Sequence, residues 1–319
     1  MQRLILTLIN IIIYATHRQS VLAYYREIGH WPNVAAPCSY NEKMFWRRIF
    51  DHNPLFVTYT DKLLCRRVFA EKAPDIELPR ILWTGTSPAE MPFWYFEAAV
   101  VVKTNHGCDF NWFTVKRMAD DRRAFNYHLR RWLSIDYGKR RAQWAYSMVD
   151  RKMFVEGLIG DAAKGEIVDL KVHLFHGEVF FVYVYEYEKT SHSRSAIFAE
   201  DGRRLAVTNT LAANDPTRAL PEDYVLPDCY GQAIRAARKI AADADYLRVD
   251  FMVARGRLYG GEITVYPTAG LLTNSDKESM NGMGRRWDIR KSWFLTHPQP
   301  GWRRRYARIL QSHLAASGG

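Results

Sequence analysis

The chain has 319 residues, 48% of them hydrophobic and 14% aromatic, and a formal net charge of +11. This composition excludes an intrinsically disordered protein and suits one large folded domain or two to three smaller ones. The positive charge favours anionic partners such as nucleotides, acidic glycans, nucleic acids or an anionic membrane. Much of the excess lies between residues 285 and 319, where eight basic residues accompany one acid, Asp288.

The cysteines and the N-terminal segment bear on the compartment. Cys38, Cys65, Cys108 and Cys229 are widely spaced and form no zinc or C-x-x-C pattern, which favours a reduced, cytoplasmic setting. The apolar segment 4–15 is too short to span a bilayer. It has only a weak version of the basic start and small-residue cleavage site of a signal peptide, so we interpret it as a docked helix rather than a signal or anchor.

Helices are predicted first along the chain. Residues 1–60 are predicted to be helical except for a loop at 31–40, and a further helix is predicted at 60–72, where Thr60 and Asp61 supply capping side chains. Strand and helix then alternate. The predicted elements are a strand at 98–103, a polar loop at 105–112, a helix at 120–134 and a strand at 153–158.

Strands dominate the following part of the chain. They are predicted as two pairs, 167–175 with 178–186 and 196–199 with 204–207. Asp201-Gly202 inside the second pair is a strong hairpin signal. A helix is predicted at 230–243 and a last one at 302–314. This order of elements indicates the α+β class with mainly antiparallel sheets.

Two carboxylates lie on segments that can form one hairpin, 248–251 and 261–264. Strand alternation places Arg248 on the same face as Asp250. A two-residue Arg-Gly turn would put Asp250 and Glu262 on opposite faces, whereas a connection centred on Gly256 or a bulge at Gly260-Gly261 would put them on the same face. Neighbouring carboxylates repel unless a cation separates them, and Mg²⁺ prefers such oxygens together with phosphates. The alternative is an ordinary hairpin with a wet polar face.

Three further segments are consistent with a nucleotide site. A predicted strand delivers Lys103 into the polar loop, where a lysine can neutralise phosphate and loop amides can cover it, although no Walker motif is present. Lys62 opens a helix and is a second phosphate candidate. The extended segment 153–159 could hold adenine through backbone groups. Their structural alternatives are a surface lysine, a solvated helix residue and a buried strand.

In this order the segments resemble the ATP-grasp superfamily and, within it, the TupA-like family of teichuronopeptide biosynthesis. The resemblance covers about residues 40–290. It is carried by Tyr40-Asn41-Glu42-Lys43, 51–54, Asp61-Lys62, 102–107, Val155-Glu156, Asp169-Leu170-Lys171, 248–251, 261–267 and Trp287-Asp288. It implies two α+β subdomains that enclose a nucleotide cleft. The implied divisions are a helical N-terminal segment at 1–60, a small subdomain at 61–155, a large subdomain at 156–295 and a basic helix at 296–319.

The resemblance also implies a set of functional residues. ATP would be bound by Lys62, Lys103, Asn105, Gly107, Glu156, Gly157, Leu158, Ile159 and Lys171, with Lys62 and Lys103 on the phosphates and 156–159 as the adenine hinge. Mg²⁺ would be held by Asp250, Glu262 and Thr264. Arg248 would stabilise the charged intermediate, and His106 would assist proton transfer or serve a structural role. The chain departs from the family pattern at Thr264, where many members have Asn, at Cys108-Asp109, and at Thr268-Ala269-Gly270.

The activity implied by the resemblance is that of an ATP-dependent carboxylate–amine ligase that proceeds through an acylphosphate and needs no protein nucleophile. The family context suggests cell-surface polysaccharide synthesis, in which an amino acid or amine is joined to a uronic acid or the reverse. We expect a cytoplasmic protein. The alternatives are an ATP-grasp phosphotransferase and an inactive protein that binds anionic glycan, lipid or nucleic acid. Nucleic acid is disfavoured because no recognised binding motif is present.

The last predicted helix is basic and amphipathic. Its apolar positions at helical spacing are Trp302, Tyr306, Ile309, Leu310 and Leu314, and Arg303, Arg304, Arg305 and Arg308 lie mainly off that line. The apolar side either packs on the domain or sits on an anionic membrane at the cytoplasmic face. Both hold if the arginines remain exposed while the apolar side packs.

Overall fold

The computed structural model of the protein describes residues 2–114, 122–161, 164–207, 210–273 and 277–316. Over these ranges the α-helices are α1 (Gln2–Thr16), α2 (Arg18–Ile28), α3 (Tyr40–Phe50), α4 (Leu55–Thr60), α5 (Cys65–Lys72), α6 (Arg122–Ser134), α7 (Trp144–Ser147), α8 (Thr210–Asn214), α9 (Tyr230–Ala241), α10 (Lys277–Arg286), α11 (Trp293–Thr296) and α12 (Gly301–Ala316). The strands are β1 (Ile81–Gly85), β2 (Val100–Thr104), β3 (Asn111–Phe113), β4 (Met153–Gly157), β5 (Ile167–Phe175), β6 (Glu178–Glu186), β7 (Arg194–Phe198), β8 (Tyr246–Ala254) and β9 (Arg257–Thr264).

Two antiparallel sheets organise these elements. The smaller sheet has the strand order β1-β4-β2-β3, and the larger sheet has the order β7-β6-β5-β8-β9. The strands of the larger sheet are rich in β-branched and aromatic residues, which pack well on a pleated surface. His176 and Gly177 join β5 to β6 with φ angles of 54° and 78°, as a two-residue hairpin turn requires. The predicted α+β class with mainly antiparallel sheets is confirmed.

Two predicted elements differ from the structure. The helix predicted at 60–72 begins only at Cys65 and ends at Lys72 as predicted, because the Asp61 carboxylate accepts hydrogen bonds from the amides of Leu63 (2.8 Å) and Leu64 (3.2 Å) and turns the chain after α4. The second strand of the predicted 196–199 and 204–207 pair does not form, and only an isolated bridge joins Phe198 to Arg204. Of the helix predicted at 120–134, the first two residues lie outside the described ranges.

Each sheet has its own hydrophobic core. The smaller sheet packs against α6 through a cluster that comprises Met91, Val100, Val102, Trp112, Phe125, Leu129, Met153 and Val155. The larger core surrounds the five-stranded sheet and includes α3, α9 and the last helices. The subdomain boundaries predicted from the sequence stay a prediction, although two separate cores are what two subdomains require.

Helix α3 ties the larger core together. Its start is fixed by a capping box, in which the Ser39 hydroxyl accepts from the amide of Glu42 and the Glu42 carboxylate accepts from the amide of Ser39. Lys43 donates from Nζ to the backbone oxygens at the end of α10, Gly284 (2.8 Å) and Trp287 (2.7 Å). Within the motif at residues 40–43, Glu42 and Lys43 therefore stabilise the scaffold.

The terminal helices each bury one face. α1 buries Leu6, Ile9 and Ile13, and α12 buries Tyr306, Ile309 and Leu310. Trp302, predicted on the apolar side of the last helix, is 61% exposed at the start of α12. Among the described residues no single helix is long and apolar enough to cross a membrane. Helices α1 and α2 meet that criterion only as a pair, and they are bent by 100°.

Candidate active site

The hairpin of β8 and β9 decides the arrangement of the two carboxylates. Its turn is the two-residue Arg255-Gly256, with φ angles of 53° and 73°, and Ala254 pairs with Arg257. This turn alone would leave the carboxylates on opposite faces. A bulge between Asp250 and Phe251 in the pairing shifts the register by one residue, so that Asp250 lies opposite Glu262. The sequence left these alternatives open, and the structure contains the bulge.

Glycine is required at the bulge for steric reasons. A Cβ atom on Gly261 would lie 2.9 Å from the backbone oxygen of Asp250, and one on Gly260 would lie 2.7 Å from a methyl carbon of Leu78. Gly261 remains outside the pairing and allows the two strands to approach. The Gly260-Gly261 pair therefore sets the face on which Glu262 stands.

Mainly polar residues form two rows across one face of the larger sheet. Residues directly opposite each other on paired strands point to the same face. The first row comprises Tyr183, Lys171, Asp250 and Glu262, and the second comprises Phe181, His173, Arg248 and Thr264. The sheet thus brings together Lys171, Arg248, Asp250, Glu262 and Thr264, five of the residues predicted from the sequence.

Arg248 is the centre of the second row. Its guanidinium donates to both carboxylate oxygens of Asp250, from Nε (2.7 Å) and Nη2 (2.5 Å). Nη2 also donates to the hydroxyl of Thr264 (3.2 Å), which donates to Glu262 (3.1 Å). The bidentate geometry holds the guanidinium plane at a fixed angle to the sheet.

The two carboxylates differ in their electrostatics. Burial raises the pKa of Glu262, but the cations Lys62, Arg248, Lys171 and Lys189 more than offset this and hold the pKa at about 2. Burial raises the pKa of Asp250 above its ordinary value, with Arg248 and Lys171 opposing that effect. Glu262 is therefore a fully ionised anion within a set of four cations.

The oxygen atoms on this face of the hairpin suit a hard cation whose coordination is completed by water and phosphate. Among the described residues there is no cluster of three or more His, Cys, Asp or Glu side chains able to hold a metal. Asp250, Glu262 and the hydroxyl of Thr264 supply oxygen atoms only. Mg²⁺ is commonly bound by one or two carboxylates and completed by water and substrate phosphates, so these residues fit Mg²⁺ better than a metal that needs a full protein cage.

The loop after β2 converges on Glu262. Lys62 donates from Nζ to the backbone oxygen of Gly107 and from its backbone amide to Asn105 (2.9 Å). Burial and the charge of Glu262 together raise the pKa of Cys108 in this loop. An ion pair between Asp109 and Lys189 (2.9 Å) joins the loop to the segment after β6. Lys62 and Gly107 thus lie beside the hairpin, as a phosphate site would require.

Asp109, which departs from the family pattern, is neutralised by this ion pair. Its negative charge therefore opposes an anionic ligand less than the sequence implies.

Lys103 and the predicted hinge form a separate group. Lys103 is ion-paired with Glu156, and Arg66 lies 3.7 Å from the same carboxylate. The amide of Gly157 donates to the backbone oxygen of Arg80 (3.0 Å), and Leu158 and Ile159 continue half-buried beyond β4. The structure therefore brings Lys103 together with the hinge, and their nucleotide roles stay predictions.

Asn105 and His106 are occupied by the fold. The Asn105 amide group donates to the backbone oxygen of Asp150 (2.9 Å) and accepts from the amide of Lys152 (2.8 Å). His106 is fully buried, its Nε2 lies 3.2 Å from the backbone oxygens of Trp132 and Ile135, and burial lowers its pKa to about 4. These contacts favour the structural alternative for His106.

A cavity of about 380 Å³ opens beside Arg248. Its cationic side is formed by Lys171 and Arg248, and its aromatic side by Tyr183 and Tyr185. Leu271 and Leu272, from the stretch after Pro267, add apolar surface. This volume is within the range of small-molecule sites. The cavity can therefore hold an anionic molecule that has a ring or an apolar part.

Sequence reasoning missed several residues of this cavity. Lys171 forms an ion pair with Glu188 and lies 5.2 Å from the centre of the Tyr185 ring. Neither Glu188 nor the two tyrosines was predicted. Strand alternation from Lys171 would have placed His173 on the same face, and pairing of β5 with β6 would have added Tyr183.

A buried chain of hydrogen bonds supports the floor of the cavity. The Tyr40 hydroxyl donates to that of Tyr246 (2.9 Å), which lies 2.9 Å from Nδ1 of His173. Burial and the charges of Arg248 and Lys171 hold the pKa of His173 well below its ordinary value, so the ring is neutral. This chain of hydrogen bonds joins α3 to the face of the sheet that carries Arg248 and Asp250.

Comparison with known families identifies the chain. A family model described as TupA-like ATPgrasp matches residues 42–287, more than half of the protein. The protein belongs to the TupA-like ATP-grasp family. The family predicted from the sequence motifs is thereby confirmed, and with it membership of the ATP-grasp superfamily. No curated protein sequence matches this TupA-like protein.

Solved structures similar to the TupA-like protein are distant in sequence. A D-alanine–D-alanine ligase from Bacillus anthracis in complex with ATP has 16% identity and a TM-score of 0.38, over 65% of this chain and 55% of the ligase. The macrocyclase MdnC from Microcystis aeruginosa MRC, bound with precursor peptide MdnA, has 13% identity and a TM-score of 0.39 over 76% and 68%. The D-cycloserine synthetase DcsG has 16% identity and a TM-score of 0.38 over 82% and 72%. The chain thus spans about half the length of the first of these proteins.

Proposed function

We propose that this protein is an ATP-dependent carboxylate–amine ligase. It joins an amino acid or amine to a uronic acid, or the reverse, in the synthesis of a cell-surface polysaccharide. The reaction takes place on the cytoplasmic side of the membrane. Family membership supports the reaction class, and the substrates follow from the family context together with the charge and shape of the cavity.

One observation carries the proposal. Asp250 and Glu262 face each other on paired strands, and the cations that act on Glu262 are Lys62, Lys171, Lys189 and Arg248. Lys171 and Lys189 are ion-paired with Glu188 and Asp109, so Lys62 and Arg248 are the cations left to act on the two carboxylates and on a bound anion. The two facing carboxylates would hold Mg²⁺, which would neutralise charge on the phosphates of ATP.

The residues have distinct tasks in this reaction. Lys62 and the amides of the loop after β2 hold the phosphates of ATP, and Asp250, Glu262 and Thr264 hold Mg²⁺, which when bound neutralises phosphate charge. Lys103 and the segment 156–159 orient the nucleotide. The acid substrate lies in the cavity with its carboxylate against Lys171 and Arg248. The first step requires this carboxylate to reach the γ-phosphate of the bound ATP.

The proposed reaction has two displacement steps. An oxygen of the substrate carboxylate forms a bond to the γ-phosphorus as the bond to the β-phosphate oxygen breaks, which gives an acylphosphate and ADP. The amine then attacks the acyl carbon, loses a proton, and expels inorganic phosphate. Arg248 stabilises the oxyanion that develops in the second step, because its guanidinium is fixed beside the cavity and carries a permanent charge.

The aromatic side of the cavity favours a ring in the acid substrate. Tyr183 and Tyr185 lie on the same face as the two cations, so a sugar or other ring can rest against them while its carboxylate meets Lys171. A uronic acid has both features. A small aliphatic acid such as alanine would leave most of this volume unfilled.

The test combines nucleotide binding with turnover. Calorimetry should show Mg²⁺-dependent ATP binding by the wild type, weakened at least about tenfold in the double variant Asp250→Asn, Glu262→Gln. The control is Glu222→Gln with Asp223→Asn, which makes the same chemical changes on exposed residues. Phosphate release with a panel of uronic acids and amines then tests ligation.

Each outcome separates the alternatives. ADP together with free phosphate and an amide product supports the ligase. ADP with a stable phosphorylated product identifies a phosphotransferase. Absence of nucleotide binding by the wild type overturns both and leaves a protein that binds anionic molecules.

A further inference from the structure

The outer face of α1 is apolar and exposed. Leu4, Leu8 and Ile11 follow one another at helical spacing and are 73%, 56% and 58% exposed, and Ile12 beside them is 52% exposed. The opposite face of the helix is the buried one, with Leu6, Ile9 and Ile13. A helix that is apolar on every side is normally covered on every side. Within the described ranges, the protein covers only half of α1.

The charge on α1 and α2 is mainly basic. Their charged side chains are Arg3, Arg18, Arg26 and one acid, Glu27, and all four are exposed. The whole chain carries +11, so a second copy would meet this face with charge of the same sign. An anionic partner is complementary to it.

The basic helix α12 lies beside the same part of the fold. The Tyr306 hydroxyl donates to the backbone oxygen of Ala35 (3.1 Å), and the amide of Ala35 donates to the side chain of Asn10 on α1 (2.8 Å). The two helices are thus separated by one short segment. The exposed cations of α12 are Arg304, Arg305 and Arg308, and the helix contains no acidic residue.

An exposed aromatic pair borders α1. Trp31 is 52% exposed, stacks on Tyr25 with ring centres 4.7 Å apart, and contacts Tyr14 of α1 at 5.8 Å. Trp and Tyr are enriched where proteins meet the headgroup region of a membrane, since one part of each ring is apolar and another hydrogen-bonds. A site for a soluble anion would not need this combination of aliphatic, aromatic and basic surface.

We propose that α1, with α12 beside it, docks the protein on an anionic lipid bilayer. α1 has 15 residues and is about 22 Å long, shorter than the roughly 30 Å hydrocarbon core. It therefore lies in the plane of the interface, with Leu4, Leu8 and Ile11 in the acyl boundary and the arginines among the headgroups. No described residue of α1 or α12 lines the cavity or pairs with the β8–β9 hairpin, and docking on lipid does not require the proposed ligase activity.

The experiment measures binding of the full chain to vesicles by co-sedimentation. We expect at least about tenfold stronger partitioning to vesicles of equimolar phosphatidylglycerol and phosphatidylcholine than to phosphatidylcholine alone, decreasing with salt. Leu8→Glu with Ile11→Glu should lower partitioning to the anionic vesicles at least about tenfold. The triple charge reversal Arg304→Glu, Arg305→Glu, Arg308→Glu should do the same.

Matched variants control for apolarity and charge. Met148→Glu with Val225→Glu changes two residues that are 65% and 83% exposed elsewhere on the chain. Arg123→Glu, Arg130→Glu and Arg131→Glu on α6 make the same charge reversal at exposed positions. Both control variants should retain most of the binding, and all variants should keep the thermal unfolding midpoint of the wild type within a few degrees.

Several results would overturn the proposal. Equal binding of the wild type to neutral and anionic vesicles would remove its electrostatic basis. Unchanged binding by the Leu8→Glu, Ile11→Glu variant would mean that α1 is not the docking element. A wild-type dimer in solution that this variant converts to a monomer would assign the surface to a second copy instead of lipid.

Discussion

Asp250 lies directly opposite Glu262 because a bulge between the two strands leaves Gly261 outside the pairing. The Arg255-Gly256 turn sets one register and the bulge changes it by one residue. The meeting of the two carboxylates follows from this shift, since a strand without the bulge would send Glu262 into the opposite face of the sheet.

Replacing Gly261 with Ala should disable the site. The new Cβ would meet the backbone oxygen of Asp250 at 2.9 Å, so the strands must separate or the bulge must move. We expect the free energy of unfolding to fall by about 1–3 kcal/mol. We also expect Mg²⁺-dependent ATP binding to be lost. Calorimetry and urea denaturation measure the two effects. Gly256→Asn is the control, since nothing lies within 4 Å of its Cβ and Asn tolerates positive φ. Equal loss of binding in both variants would contradict the prediction.

Arg248→Lys should separate binding from chemistry. Lysine keeps the charge but loses the planar fork that grips both oxygens of Asp250. If Arg248 stabilises the developing oxyanion, the substitution should lower kcat by about 10²–10³-fold, while calorimetry should find ATP affinity changed less than about tenfold. A variant with wild-type kcat would exclude this role for the guanidinium.

Tyr246→Phe removes the middle of the buried hydrogen-bond chain. The hydroxyl of Tyr246 contacts both Tyr40 and Nδ1 of His173, so its loss should cost about 1–3 kcal/mol of stability and let the His173 ring turn. We expect kcat to fall while the KM for ATP stays the same. Tyr40→Phe, which preserves the contact between Tyr246 and His173, should lower stability alone. Rates and urea denaturation of both variants test this, and an equal fall in kcat would show that the chain does not position His173.

Asp51 should make stability depend on pH. Burial and the nearby charge of Asp245 raise its pKa to about 7 in the fold, against an unfolded value of 3.8. Between about pH 4 and pH 7 the folded state therefore holds one more proton than the unfolded state, and this group lowers stability as pH rises through that window.

Asp51→Asn should remove that contribution. Its amide oxygen can still accept from the amide of Phe294, which now donates to Asp51 at 2.8 Å. Urea denaturation at pH 5 and pH 8 should show a smaller loss of stability for the variant than for the wild type. Histidines titrate in both proteins, so their contribution is removed when the change in free energy of unfolding between the two pH values is compared. An identical change in both proteins would mean that Asp51 is already ionised in the fold.

Local sequence patterns predicted much of the secondary structure. β5 and β6 have the predicted bounds because hydrophobic alternation and a His-Gly turn act over a few residues. The division between α4 and α5 was missed because Asp61 is equally suited to start a helix or to interrupt one, and only the contacts around it choose. The run at residues 40–43 was one of the motifs that carried the family resemblance, and only the structure shows that its capping box and its Lys43 contacts belong to the scaffold.

The sequence by itself determined the fold class, the family and the residues from which a site could be built, since these depend on alternation, turn chemistry and motif order. Only the tertiary structure decided that Asp250 and Glu262 share a face, because the register depends on the close approach of strands at Gly261. It also decided that His106 is enclosed by the end of α6 while His173 meets the cavity. The burial of Glu262 and the four cations around it depend on segments that are far apart in the sequence. No local pattern predicts that these segments meet.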